Sequence, residues 1–137
     1  MSGEENKAIV RRYQEIYNSN QLDKLTEVIL EDLLTPRIMP GIPSGIEGAK
    51  AAHRIMLNGF PDYQTTIDDL IAEGDQVAAR IAMTGTHTGE FMGIPASGKK
   101  VKFTGMYFAR IKNGKIVEHW GEEDAVSLLQ QIGAMKF

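Results

Sequence analysis

Apolar residues recur along this chain with two different periods, and the change of period divides it. Near the start, Ile9, Val10, Tyr13, Ile16 and Tyr17 follow at three- and four-residue spacing, which gathers them on one face of a helix. Asn18-Ser-Asn20 breaks that helix. Leu22, Leu25, Val28 and Ile29 form a second short stripe, so the two segments are expected to pair as a helical hairpin. Prolines 36, 40 and 43 and glycines 41, 45 and 48 punctuate residues 35–48. They leave room for at most a short edge strand, because proline cannot donate to a ladder. Ser44 or Gly45 can cap a third helix with Glu47 in its first turn. Ala49, Ala52, Ile55, Met56 and Phe60 share its apolar face, and Gly59 and Pro61 end it.

From Tyr63 the period falls to two. Strands are expected over 63–71, 77–86, 100–111 and 115–121, with a loop over 88–99. Glu73-Gly-Asp-Gln76 reads as a turn. Asn113-Gly114 is a hairpin signal, since both positions favour positive φ. Ala125, Leu128, Leu129 and Ile132 suggest a short closing helix before Gly133. Helices grouped ahead of hairpin-linked strands argue for an α+β fold around an antiparallel sheet. The strand at 77–84 is apolar on both faces: Val77, Ala79, Ile81 and Met83 on one, Ala78 and Ala82 on the other. Such a sheet is expected to be covered twice, by helices and a pocket on one side and by a second subunit, making a homodimer, on the other.

Composition narrows this picture more than it redirects it. A chain of 137 residues suits one domain, residues 1–137, with a real core. The net charge is −3, and the basic residues are dispersed apart from the pairs Arg11-Arg12 and Lys99-Lys100, so no basic stripe offers itself to nucleic acid. The absence of cysteine excludes disulfides, thiol catalysis and thiolate metal sites. Three scattered histidines make a zinc site poorly supported, and no metal is expected. No apolar run approaches the roughly 18 residues of a membrane span. The polar first residues do not resemble a signal peptide, and a cytoplasmic location is the default expectation.

Several segments, taken together, carry a family likeness. Phe60-Pro-Asp62, Leu70-Ile-Ala-Glu-Gly-Asp75, Gly85-Thr-His-Thr-Gly-Glu-Phe-Met-Gly-Ile-Pro95, Phe103-Thr-Gly105, Gly114-Lys-Ile-Val-Glu-His-Trp-Gly-Glu-Glu-Asp124 and Leu128-Leu-Gln-Gln-Ile-Gly133 resemble, in order, the SnoaL-like polyketide cyclases, or ester cyclases. The resemblance implies a nuclear-transport-factor-2-like cone: a curved antiparallel sheet packed on N-terminal helices around an internal pocket, usually as a homodimer. It also implies cofactor-free ring closure of a polyketide ester by intramolecular aldol condensation, with the acid/base role falling on Asp124. Two positions depart from the family pattern. The first short strand, Leu34-Thr-Pro-Arg-Ile-Met39, has no histidine, and Tyr107 stands where relatives often place Asp or His.

The candidate chemistry gathers on the last strand. Asp124 has two readings. One is a helix N-cap. The other is an acid/base whose pKa burial in an apolar pocket would raise. Glu122 would share a strand face with Glu118 and Trp120, and a second carboxylate near Asp124 would raise one pKa of the pair. Trp120 is expected to be largely buried, as core or pocket wall. Tyr107 shares the face the resemblance turns inward. It is either an enolate-oxygen donor or a hydrogen-bonded core tyrosine. Arg80, mid-strand, calls for a carboxylate across the sheet or an anionic ligand. His87 is expected to bond the 88–99 loop, with catalysis as the other reading. That loop, with Phe91, Met92 and Ile94, suits a pocket lid or dimer contact. His119, alternating away from Trp120, is expected at solvent or an interface, with catalysis as the other reading, and His53 at the surface. Tyr17, Met39, Phe60, Arg80 and His87 join Trp120 as candidate ligand contacts.

The leading expectation is a cofactor-free enzyme of cyclase or isomerase type acting on a small apolar, carbonyl-bearing ligand. A non-catalytic binding or dimerisation module of the same fold is the second. A hydrolase or dehydratase is the third, which two pocket carboxylates flanking a water would support.

Overall fold

In a computed structural model of the protein, which describes residues 2–35 and 41–136, the first helix begins on a reciprocal cap. Ser2 Oγ accepts from the Glu5 backbone N–H at 3.1 Å, and Glu5 Oε1 accepts from the Ser2 N–H at 3.1 Å. Two of the orphan donors of α1 (Gly3–Asn18) are satisfied this way. Val10, Tyr13, Gln14 and Ile16 are its buried face. The next stripe departs from expectation. Leu22–Glu27 is a 3-10 helix that buries Leu25, and Ile29 already opens a strand, β1 (Ile29–Leu34). That strand lies earlier than the proline-rich segment suggested. Its backbone is claimed by the free edge of the last strand, where the Ile116 N–H donates to Val28 O at 2.7 Å. β-Branched Ile29 fits an edge ladder as well as it fits a helix.

The third expected helix is α2 (Gly45–Gly59), with Ser44 at its N-cap position. Four strands follow: β2 (Gln64–Glu73), β3 (Gln76–Thr86), β4 (Lys100–Lys112) and β5 (Lys115–Glu123). Asn113 and Gly114 both take positive φ, 52° and 78°, at the β4–β5 turn. The chain closes with α3 (Ala125–Gln131). The described residues form one curved sheet in the order β1-β5-β4-β3-β2. Only β1 runs parallel to its neighbour, so the sheet is mixed rather than wholly antiparallel. The fold is α+β, as the pattern implied.

The two faces of the sheet differ sharply. On β4, Val101, Phe103, Gly105, Tyr107, Ala109 and Ile111 are buried, while Lys102, Thr104, Met106 and Phe108 between them are exposed. The inner set packs with Val10, Ile16, Leu25, Ile29, Ile46, Phe60 and Met83 to form the core between sheet and helices. Tight approaches fix the elements around it: a Cβ on Gly48 would stand 1.9 Å from Pro43 O, and one on Gly89 1.9 Å from Asn58 O.

One irregularity decides which side chains of β5 join that core. Ile116 pairs with Ile111, but Glu118 pairs with Arg110, so Val117 is an extra residue in β5. This β-bulge reverses the alternation. Before it Ile116 points inward; after it the inward positions are those opposite Ala109, Tyr107 and Gly105, namely His119, Gly121 and Glu123. The bulge is clamped on the outer face. Arg110 donates to Glu118 Oε2 at 2.7 Å and to Asp75 Oδ1 at 2.6 Å, and Trp120 Nε1 donates to Glu118 Oε1 at 3.2 Å.

Candidate functional site

All four tyrosines of the chain and two of its three histidines meet between the inner sheet face and the first two helices. The rings form a continuous series. His119 lies over Tyr107 with centroids 4.6 Å apart and 30° between planes, and Tyr13 is 5.9 Å from His119. Tyr13 meets Tyr17 edge-on at 4.8 Å, Tyr17 meets His53 at 4.7 Å, and His53 meets Tyr63 at 6.0 Å. Helical spacing of four puts Tyr13 and Tyr17 on one face of α1. Alternation of β4 supplies Tyr107, and the bulge in β5 supplies His119.

Polar atoms in this assembly are anchored. The Tyr107 hydroxyl donates to Gln14 Oε1 at 3.0 Å, and His53 Nε2 shares a hydrogen bond with Asn20 Oδ1 at 3.0 Å. Burial raises the pKa of all four phenols, that of Tyr17 to about 12. Burial also pushes the His119 imidazole down to about 4 and lowers that of His53. Loss of solvation disfavours whichever form is charged, so near neutral pH these groups are neutral phenols and imidazoles. The site is rich in hydrogen-bond donors and poor in cations.

The structure separates the residues nominated from sequence. Tyr107 and Tyr17 are in the assembly. Phe60 is fully buried and packs on His87 at 5.2 Å and Phe91 at 5.3 Å, in the core beside it. His87 continues the inner face of β3 and ties down the loop. Its Nδ1 shares a hydrogen bond with Ser97 Oγ at 2.8 Å and accepts from Ser97 N at 3.1 Å. Phe91, buried under Gly59, anchors the loop further. Arg80 is exposed and donates through Nε to Asp69 Oδ2 at 2.8 Å, the carboxylate directly across the β2–β3 ladder. Met39 lies outside the described residues.

The last strand brings the corrections. Trp120 is 50% exposed on the outer face beside Phe108, neither core nor inner wall, because the bulge turns it outward. Glu122 does share its face, opposite Met106, and is exposed there. Asp124 caps α3, accepting from Ser127 N at 3.0 Å, and is also exposed. His119 and His53, expected at the surface, are the two histidines turned into the tyrosines. Sequence reasoning also passed over Glu123. β5 runs two residues beyond its expected end at Gly121, and its pairing sets Glu123 opposite inward-facing Gly105. Among the described residues, no three acidic or histidine side chains gather closely enough to hold a metal ion.

The outer face carries a groove of about 850 Å³ whose lining includes Arg80, Met106, Phe108, Trp120 and the run Glu122–Asp124, so four residues nominated from sequence, Arg80, Trp120, Glu122 and Asp124, meet there. Its apolar members are conspicuously uncovered: Met106 is 64% and Phe108 56% exposed, and Ile71, also solvent-facing, is 67% exposed.

Comparison with known proteins agrees with this architecture. The SnoaL-like polyketide cyclase family model matches residues 7–132. The chain is 30% identical over 129 residues to aklanonic acid methyl ester cyclase DauD of Streptomyces sp. strain C5, covering 91% of this chain and 80% of that one. It is equally similar, 30% over 129 residues, to aklanonic acid methyl ester cyclase DnrD of Streptomyces peucetius, covering 91% and 88%. The structure of TsrD from Streptomyces laurentii superposes with a TM-score of 0.89 at 30% identity, covering 98% of this chain and 99% of that one. A cone of this topology, with its aromatic inner face and a family match across nearly the whole chain, places the protein in the SnoaL-like polyketide cyclase family.

Proposed function

We propose that the chain works as one SnoaL-like domain that binds a small, largely apolar, carbonyl-bearing ligand against the tyrosines of its inner face. There it catalyses acid/base chemistry of cyclase or isomerase type. The observation that carries this reading is the set of neutral donors in apolar surroundings: Tyr13, Tyr17, Tyr63 and Tyr107 with un-ionised His119. Phenols held protonated can donate to an oxygen that becomes an enolate, and a donor fixed beforehand in a site of low dielectric is worth more than one in water. The Tyr107 hydroxyl gives its one proton to Gln14, so the donors left for a ligand are the other phenols. The ring faces suit a planar or aromatic ligand. No step of this chemistry calls for a cofactor.

A second reading, binding without turnover, draws on one specific observation. Asp124, Glu122 and Trp120 all lie away from Tyr107, so the acid expected from sequence is not beside the donor. The uncovered outer residues support a further element of the reading, a second copy of the chain packed on that face, since contiguous exposed apolar surface marks an interface. Sedimentation of the wild type as twice 15.2 kDa and of Phe108→Asp as 15.2 kDa is the expected result.

Benzoylacetone, an aromatic 1,3-diketone, tests the ligand assignment. Added to the labelled protein, it is expected to shift the ring resonances of His119 and Tyr17, and Tyr17→Phe should weaken its binding about five- to tenfold through one lost hydrogen bond. Shifts confined to the Trp120 indole would put the ligand on the outer face and overturn the assignment. Binding at the inner face with no chemistry on any carbon acid would favour the second reading.

A further inference from the structure

We propose that Glu123 is the carboxylate that serves the inner face, taking a proton from a ligand carbon held against the tyrosines and returning it to oxygen. This rests on the reading of that face as a small-molecule site and adds the acid/base group that reading lacks.

Three observations on different elements place Glu123 there. The register sets it opposite Gly105, whose neighbours Phe103 and Tyr107 are buried on the inner side. The side chain follows the backbone. A Cβ added at Gly105 would come 3.1 Å from Glu123 Cγ and 3.4 Å from Cε of Met83, a fully buried core residue. Glu123 therefore lies across the gap that glycine leaves in β4, where its stem meets the edge of the inner core while its exposed part borders the outer groove. Its negative charge also reaches Tyr13 on α1 and Tyr63 ahead of β2, helping to hold both phenols protonated. Its neighbours on the chain are directed elsewhere: Glu122 faces out beside Met106, and Asp124 caps α3. Glu123 is itself solvent-accessible, so it can exchange protons with water between cycles.

The proposed step is balanced without an outside reagent. A Glu123 carboxylate oxygen takes the proton from a carbon next to a carbonyl. The C–H electron pair becomes the new C=C bond, and the carbonyl π pair moves to oxygen, where a tyrosine hydroxyl donates to it. When that carbon bonds to a second carbonyl carbon of the same ligand, the displaced π pair leaves an alkoxide. The alkoxide takes the proton back from Glu123. One C–H bond and one C=O π bond are exchanged for one C–C and one O–H bond, with no change of oxidation state overall.

5-Nitrobenzisoxazole is a suitable probe because loss of its isoxazole C–H proton opens the ring to a coloured phenolate. Wild-type protein is expected to accelerate this reaction over buffer, with the His119 resonances shifting as the probe binds. Glu123→Gln should lower the rate about a hundredfold or more, as expected for loss of a general base, while leaving the His119 shift in place. Glu123→Asp, which keeps a carboxylate, should retain part of the rate and guards against a variant that merely folds poorly. A Glu123→Gln rate within twofold of wild type, or Asp124→Asn losing as much as Glu123→Gln, would overturn the proposal. Probe binding at His119 with no acceleration by the wild type would also overturn it, yet leave the inner face standing as a ligand site. No shift at His119 at all would remove both.

Discussion

The two faces of the β4–β5 hairpin are made from the same alternation and reach opposite ends. Inside, Tyr107, Ala109, Ile111 and His119 are packed, and their polar atoms are paired or kept neutral by burial. Outside, Met106, Phe108 and Trp120 are at least half exposed, and Arg110 with Glu118 and Asp75 forms a charged clamp. The contrast shows that hydrophobicity does not distinguish the faces here. The outer face sets Met106, Phe108 and Trp120 among its charges, and the inner face sets His119 and the Tyr107 hydroxyl among its apolar groups. What distinguishes them is which groups give up water on folding of the single chain, and that choice fixes the pKa values and donors available for chemistry.

Breaking the inner face should cost most. Ile111→Asp puts an unpaired charge at a buried position and is expected to remove about 4 kcal/mol of unfolding free energy, enough to unfold many small domains. Met106→Asp, on the other face of the same strand, should stay within about 0.5 kcal/mol in the monomer, the range usual for a surface site. Urea denaturation of the two variants at a concentration below any association measures the contrast directly.

Acid should act on the inner face next. His119 has a folded-state pKa near 4 against an unfolded value of 6.5, so below pH 6.5 the unfolded chain binds a proton that the folded chain refuses. Stability therefore falls as pH drops from 6.5 towards 4 and this contribution levels off below, with a total of up to about 3 kcal/mol from the size of the shift. His119→Gln should flatten that segment of the stability–pH curve. Asp62, whose pKa the Thr86 hydroxyl and N–H lower, works at more acid pH. Its stabilisation is present above the ordinary carboxylate pKa and is lost as pH falls through the lowered one. An unchanged slope in His119→Gln would mean the imidazole is solvated.

The smallest effect expected is at the edge between the faces. Asp124→Ala should cost about 1 kcal/mol through loss of the α3 cap, and Asp124→Asn should recover most of it, since asparagine caps as well. A cap effect of this kind leaves the inner-face resonances of His119 unmoved, which separates it from any role in the site.

Much of the scaffold could be read from particular residues. The spacing of Ile9, Tyr13, Ile16 and Tyr17 set the buried face of α1, and Asn113-Gly114 set the last hairpin, because each is a local requirement of backbone geometry. The alternation from Val101 to Ile111 gave β4 its two faces and put Tyr107 inward. Ile29 was misread as helical because a lone apolar stripe does not reveal the strand edge waiting for it. His53 looked like a surface residue until Asn20 and Tyr17 closed over it.

The largest error of reading came from a single residue. Alternation from Ile116 carries Glu118 and Trp120 inward, and only the bulge at Val117 sends His119, Gly121 and Glu123 there instead. A one-residue shift exchanges every later side chain between faces, and nothing local in Lys115–Asp124 announces it. By itself the sequence determined most of the elements, their order, the family, and that the last strand would carry the acids. Tertiary structure alone decided which acid faces the tyrosines, because that depends on how β5 is paired against β4 and clamped by Arg110, a residue from another strand.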